Sequence, residues 1–251
     1  MTGWLTALGP AGTALALLVL GHVLGDFAFQ TDALAKNKHR FRSLVIHGLI
    51  VLVVHLVVFL PLLTPRTGLL IVAVGVSHVL VDAVTARVRN RPGTSAHLFL
   101  GDQLVHLLVL LGAWALIGPS AWADAQVVAA LGGEHSVPWT ELTTGAVYLS
   151  AFVFAQDGGN AIVRGVLPAD GPESSDDDLG AGSLIGTLER WIVLLLGVGG
   201  LWEAVGLVVA AKSIARFEEL KQREFAEYFL VGTLASVLVG IGLVVLVSGL
   251  V

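Results

Sequence analysis

Stretches of about twenty apolar residues recur along the whole chain, separated by short polar or basic connectors. A run of that length crosses the hydrocarbon of a bilayer as a helix, and in lipid a spanning segment must satisfy its own backbone hydrogen bonds. The runs fall at residues 10–29, 43–63, 67–87, 97–117, 141–163, 183–211 and 229–251. The expected fold is therefore all-α, a polytopic transmembrane helical bundle of about seven segments. Composition agrees: the 251 residues are 55% hydrophobic and only 13% charged, about half the charged share of a soluble domain. The first run is read as a retained helix, because no Lys or Arg precedes it and HVLGDF stands where the small residues of a cleavage site belong.

Basic residues favour the cytoplasmic side. Lys36, Lys38, Arg40 and Arg42 follow the first run, and Arg87, Arg89 and Arg91 follow the third. Both connectors are thus expected in the cytoplasm, with the N-terminus outside. Residues 118–140 hold no Lys or Arg and fit the outer side. Three regions follow: a bundle over 1–117, an extracytoplasmic loop over 118–140, and a membrane region over 141–251. The last includes an acidic loop at 168–178 and a segment at 212–228. There Ile214, Phe217, Leu220, Phe225 and Tyr228 recur at near-helical spacing, as in an interfacial helix.

The polar residues inside the first four runs carry the chemistry. HVLGD places His22 and Asp26 four apart, and HVLVD places His78 and Asp82 four apart. That spacing puts each pair on one helical face. His47 opens the run after the first pair and His106 the run after the second, so the two hairpins read as a parallel internal repeat. Asp102 breaks the symmetry, standing where the first copy has Ser43. Counted from the basic connectors, His22, Asp26, His47, His78, Asp82, Asp102 and His106 share one level near the cytoplasmic face. Ionisable groups within a membrane are costly and mark function, and imidazole with carboxylate at this spacing is how helices build transition-metal sites. The expectation is one or two divalent ions, zinc or manganese, with surplus residues as orienting groups or as a general base.

Other positions have lesser roles. His55, two turns beyond His47, reads as a helix-contact residue, and His39, His97 and His135 as loop or interface residues. Gln30, Asp32 and Lys36 stand where the first helix meets the cytoplasm and suit an anionic headgroup or plain interfacial anchoring. Gln103, beside Asp102, suits a supporting position at the metal. Farther on, Asp157, Glu189 and Arg190 flank one connector. They suit an Asp157–Arg190 ion pair between helices, or a polar wall that orients a headgroup. Cysteine is absent, which excludes disulfides and thiolate ligands.

GHVLGDFAFQTDALAKNK followed by a His, then SHVLVD, then GDQLVH, resembles the bacterial membrane family designated domain of unknown function 3307, over roughly residues 10–115. The C-terminal half, from IGTLERWI to EYFLVGTLAS, is similar to an extension found on many members. The resemblance implies a bacterial inner-membrane location and the same ligand set, His22, Asp26, His47, His78, Asp82, Asp102 and His106. It carries no activity. In style the signature is similar to predicted membrane-bound metal-dependent hydrolases.

The leading expectation is a metal-dependent hydrolase acting on a lipid or lipid-linked phosphoester at the cytoplasmic leaflet, with Asp102 as general base and Lys36, Lys38 and Arg42 drawing the headgroup. A divalent-metal or proton transporter and a metal-stapled scaffold are the rivals. The partners expected are the bilayer and such an anionic or lipid-linked substrate, with no nucleic acid.

Overall fold

The computed structural model describes residues 3–89, 96–117, 130, 137–168 and 178–251. Arg91, His135, most of the 118–140 loop and nearly all of the acidic 168–178 loop lie outside them. The described residues contain helices and no strand. We number the α-helices α1 (Trp4–Ala7), α2 (Pro10–Val23), α3 (Asp32–Lys36), α4 (Phe41–Val58), α5 (Pro65–Arg89), α6 (Ala96–Ile117), α7 (Trp139–Val166), α8 (Asp178–Val198), α9 (Trp202–Ala215) and α10 (Arg223–Leu250).

Five stretches among the described residues are long and apolar enough to cross a membrane: Pro10–Ala28, Phe41–Val58, Pro65–Val88, His97–Leu116 and Arg223–Leu250. The expected 141–163 segment lies within α7, whose apolar character is diluted by Thr143, Thr144, Gln156, Asp157 and Asn160. The expected 183–211 segment is broken. Gly200 has φ of 74°, Leu201 N–H donates to Leu196 C=O at 2.8 Å and Gly200 N–H to Gly197 C=O at 3.0 Å. These paired bonds close a helix on a left-handed glycine, so α8 ends there and α9 starts anew.

Residues 212–228 likewise do not form one helix. Lys212 to Ala215 end α9, Glu219–Lys221 make a 3-10 turn, and α10 begins at Arg223. The five-residue step from Leu220 to Phe225 takes the apolar positions off a common face, which removes the reason for a continuous interfacial helix.

The chain forms two compact units, Met1–Val153 with Gly249–Val251, and Phe154–Ser248. The division falls inside α7 rather than at the 140/141 boundary read from composition. In the first unit α2 packs on α4, α4 on α5, α5 on α6, and α6 returns to α2. The ring closes around α2, of whose span 83% is buried, against 11% for that of α6. The outer surface is apolar, with Leu49, Val53, Leu80, Leu104 and Leu108 exposed, as lipid contact requires.

Two features of the sequence set the helix spacing. A Cβ on Gly21 would stand 2.7 Å from the His55 ring, and one on Gly25 would stand 2.9 Å from Val51 Cγ2. This small-xxx-small pair lets α2 approach α4 closely. The α4–α5 turn is locked by reciprocal bonds, Thr64 N–H to Thr67 Oγ1 at 2.7 Å and Thr67 N–H to Thr64 Oγ1 at 3.1 Å, with Pro65 at the first helical position.

In the second unit α8 packs on α9. Gly240 of α10 meets Val193 of α8, and Gly197 of α8 meets Val244 of α10.

Candidate metal centre

α2 does not end as a plain α-helix. Leu24–Ala28 form a π-helical turn that carries Asp26, closed by Phe29 N–H to Leu24 C=O at 2.9 Å. Such turns insert one extra residue and re-aim side chains, often at functional sites. The HVLGD copy therefore departs from HVLVD, where His78 and Asp82 sit on the regular α5 helix.

The four helices bring six of the seven expected residues into one buried group: His22, Asp26, His47, His78, Asp82 and His106 are each at most 8% exposed. His47 Nε2 lies 3.0 Å from Asp26 Oδ1, 3.2 Å from Asp82 Oδ2 and 3.1 Å from His78 Nε2. His78 Nε2 lies 3.1 Å from Asp26 Oδ1 and 3.5 Å from Asp82 Oδ2. The imidazoles are contiguous, with centroid separations of 4.3 Å for His78–His106 and 4.9 Å for the stacked His22–His106 pair.

One imidazole nitrogen has at most one proton to donate, so Asp26 Oδ1, Asp82 Oδ2, His78 Nε2 and Gln30 Nε2, all at 3.0–3.2 Å from His47 Nε2, cannot all be its hydrogen-bond partners. Nitrogen and oxygen ligands about 2.0–2.1 Å from zinc stand roughly 3.3 Å apart in a tetrahedron. Three overlapping groups meet the requirement of mutual donor proximity: His22, Asp26 and His106; Asp26, His47 and His78; His78, Asp82 and His106. These buried clusters can hold a metal ion.

Supporting contacts orient the donors. Lys38 Nζ, on the loop after α3, lies 2.9 Å from each Asp82 oxygen. It thus caps a carboxylate rather than standing free for a headgroup. His106 Nδ1–H donates to the Asp102 carbonyl at 2.9 Å, leaving Nε2 buried with no hydrogen-bond partner. A second ring nitrogen tied to a carbonyl is the usual orienting arrangement of a metal-binding histidine. Gln103 Oε1 is 3.2 Å from His22 Nε2, and its amide nitrogen reaches Asp102 Oδ2 at 3.3 Å and Asp26 Oδ2 at 3.5 Å. Gln30 Nε2 stands 3.0 Å from both ring nitrogens of His47.

Asp102 belongs to none of the three donor groups. Its Oδ1 accepts the Thr85 hydroxyl at 2.8 Å, and its Oδ2 is 3.7 Å from His106 Nδ1. It lines a polar cavity of about 70 Å³ together with Lys36, Lys38, His39, Asp82 and Thr85. Asp32 is exposed in the first turn of α3 and takes no part. His55 is the helix-contact residue expected, donating Nδ1–H to Val51 C=O at 2.8 Å. Thr85 was not legible as a site residue, although it follows Asp82 by one helical turn.

Residues 14–130 match the family model described as a protein of unknown function, DUF3307. The DUF3307 region contains all six buried donors and Asp102, and excludes the second unit. No curated protein and no solved structure matches the chain.

The remaining sequence-read residues lie in that second unit. Arg190, 1% exposed, donates Nε–H to Ala155 C=O, Nη2–H to Asn160 Oδ1 at 2.6 Å and to Gln156 C=O at 3.2 Å, and Nη1–H to Ser236 Oγ at 3.2 Å. Gly159 and Gly186 make room for the guanidinium. Glu189 pairs with Lys212 at 2.7 Å. Asp157 is half-buried on α7. This cradle packs three helices together, and Asn160, Ser236 and Lys212 were not singled out from the sequence because each reaches its partner across the fold.

Proposed function

We propose that this chain is a metal-dependent membrane hydrolase acting on a lipid or lipid-linked phosphoester at the cytoplasmic leaflet of a bacterial inner membrane. The carrying observation is the crowding of Asp26, His78 and Asp82 around His47 Nε2, next to a polar cavity. A bound divalent ion, zinc or manganese, supplies Lewis acidity and lowers the pKa of a coordinated water. The six buried His and Asp side chains would supply its donors, and Lys38 fixes Asp82.

Access favours hydrolysis over transport. The basic connectors and the cavity lie at one end of the cluster. One turn away from them stand Leu18, Val51, Val74 and Leu110, each at most 3% exposed, followed by Leu15, His55, Ile71 and Ala113. A transport site needs a route to both faces, and this packing supports access from one. Basic connectors support the cytoplasmic side.

In the reaction, Lys36 and His39 on the cavity wall attract the phosphoryl oxygens, and Thr85 and Gln103 hold Asp102 in place. Asp102 takes the proton of the attacking water as its oxygen bonds to phosphorus. The bond to the leaving alcohol breaks, and the alkoxide gains a proton from Asp102.

The test uses the purified chain in detergent, metal analysis, and phosphate release from mixed micelles of phosphatidate or a polyprenyl phosphate. Bound zinc or manganese with turnover of one probe is expected. Asp102→Asn should lower kcat by about 10²–10⁴-fold and keep its metal. Metal without turnover of any phosphoester, or an Asp102→Asn variant with full activity, refutes the hydrolase reading.

A further inference from the structure

We propose that the cluster holds two divalent cations, bridged by the Asp26 carboxylate, one with His47 and His78 and the other with His22 and His106. This rests on the metal reading above and is independent of the hydrolytic step.

The two oxygens of Asp26 face different neighbours. Oδ1 lies 3.0 Å from His47 Nε2 and 3.1 Å from His78 Nε2. Oδ2 lies 3.9 Å from His22 Nε2 and 3.5 Å from the Gln103 amide nitrogen. A carboxylate so placed spans two positions, as in helical-bundle di-metal centres. The π-helical turn is what presents it this way, since Asp26 leaves the register that keeps Asp82 on the regular face of α5.

The donors divide accordingly. His47 Nε2, His78 Nε2 and Asp26 Oδ1 form the first set, 3.0–3.1 Å from one another. His22 and His106 remain outside that set, yet they form a donor group of their own with Asp26.

The decisive atom is His106 Nε2. Its ring is held by Nδ1–H donating to the Asp102 carbonyl, so Nε2 presents a lone pair, and that nitrogen is buried without a hydrogen-bond partner. Buried polar atoms without partners are few in native proteins, and a ring nitrogen of His106 lies within 4.8 Å of donor atoms of His22 and Asp26. A cation between them satisfies it. Three protein ligands leave an ion an open position, the pattern of a reactive site.

The experiment is metal stoichiometry of the full chain in detergent, stripped and then dialysed against limiting Mn²⁺, read by mass spectrometry and electron paramagnetic resonance. Wild type should bind two equivalents and show the spectrum of a coupled pair. His106→Gln should bind one and show isolated Mn²⁺, while Asp102→Asn, outside the donor groups, should keep two. Thermal unfolding of each variant checks the fold, and Gln103→Leu is the second probe should His106→Gln not fold. It should weaken the second equivalent and spare the first. One equivalent in wild type, or two in His106→Gln, overturns the two-ion assignment. No metal in wild type overturns this and the metal reading together, and two ions without hydrolysis leave it standing while removing the hydrolase.

Discussion

Replacing Gly25 with alanine tests whether the α2–α4 approach sets the metal geometry. The new Cβ would lie 2.9 Å from Val51 Cγ2, 3.5 Å from Val51 Cβ and 3.4 Å from Val51 Cα. Carbon atoms rest at about 3.5–4.0 Å, so the shortfall at Cγ2 is roughly 0.6–1.1 Å. Val51 is fully buried, and a helical valine keeps one main rotamer, so the strain passes to the helix separation. Asp26 adjoins Gly25, and His47 lies one turn before Val51. The 3.0 Å contact of Asp26 Oδ1 with His47 Nε2 therefore opens by a similar amount. Overpacking of this kind costs about 1–3 kcal/mol, and disturbing ligand orientation weakens metal binding by about 10–100-fold. Thermal unfolding in detergent and competition with a fluorescent zinc chelator measure the two effects. Gly112→Ala is the control: its Cβ meets nothing within 4 Å, and in a helix the change is favourable by up to about 1 kcal/mol. Gly25→Ala with unchanged melting temperature and metal affinity refutes the reasoning.

Four further outcomes are expected. Acidification should release metal, because imidazole must lose its proton to bind, as equilibrium dialysis over a descending pH series will show. Arg190→Lys should lower the unfolding temperature of the second unit at a cost of about 2–4 kcal/mol, since an ammonium cannot reach Ala155, Asn160 and Ser236 together; metal content should not change. Glu189→Gln, which breaks the buried end of the Lys212 pair, should destabilise by about 1–3 kcal/mol, between the surface and interior cases. Glu218→Gln, in an exposed pair with Lys221, should leave the melting temperature unchanged.

The helical membrane class was legible because hydropathy over twenty residues is a local property, and so was the candidate cluster. His–Asp pairs at i, i+4 share a face whatever the tertiary structure, and equal distance from the basic connectors sets equal depth. Two local signals were outweighed in that reading. Gly199–Gly200 mark the end of α8, but the surrounding apolar run suggested a single span. Gly25 marks a close approach, but HVLGD read as the twin of HVLVD.

What the sequence by itself determined is the kind of solvent this chain folds in and which polar residues must hide from it. Asp102 read there both as a seventh ligand and as the general base; the fold leaves it outside the donor groups, bonded to Thr85. Lys38 read as a cation that draws a headgroup, and its reach to Asp82, forty-four positions away, exists only once the loop after α3 lies beside α5. The division of Asp26 between two sets of imidazoles depends on a π-helical turn beside a packed α4. Ligand geometry at this resolution is decided by shifts of under an ångström between helices, which side-chain size at the contact controls and sequence spacing alone does not encode.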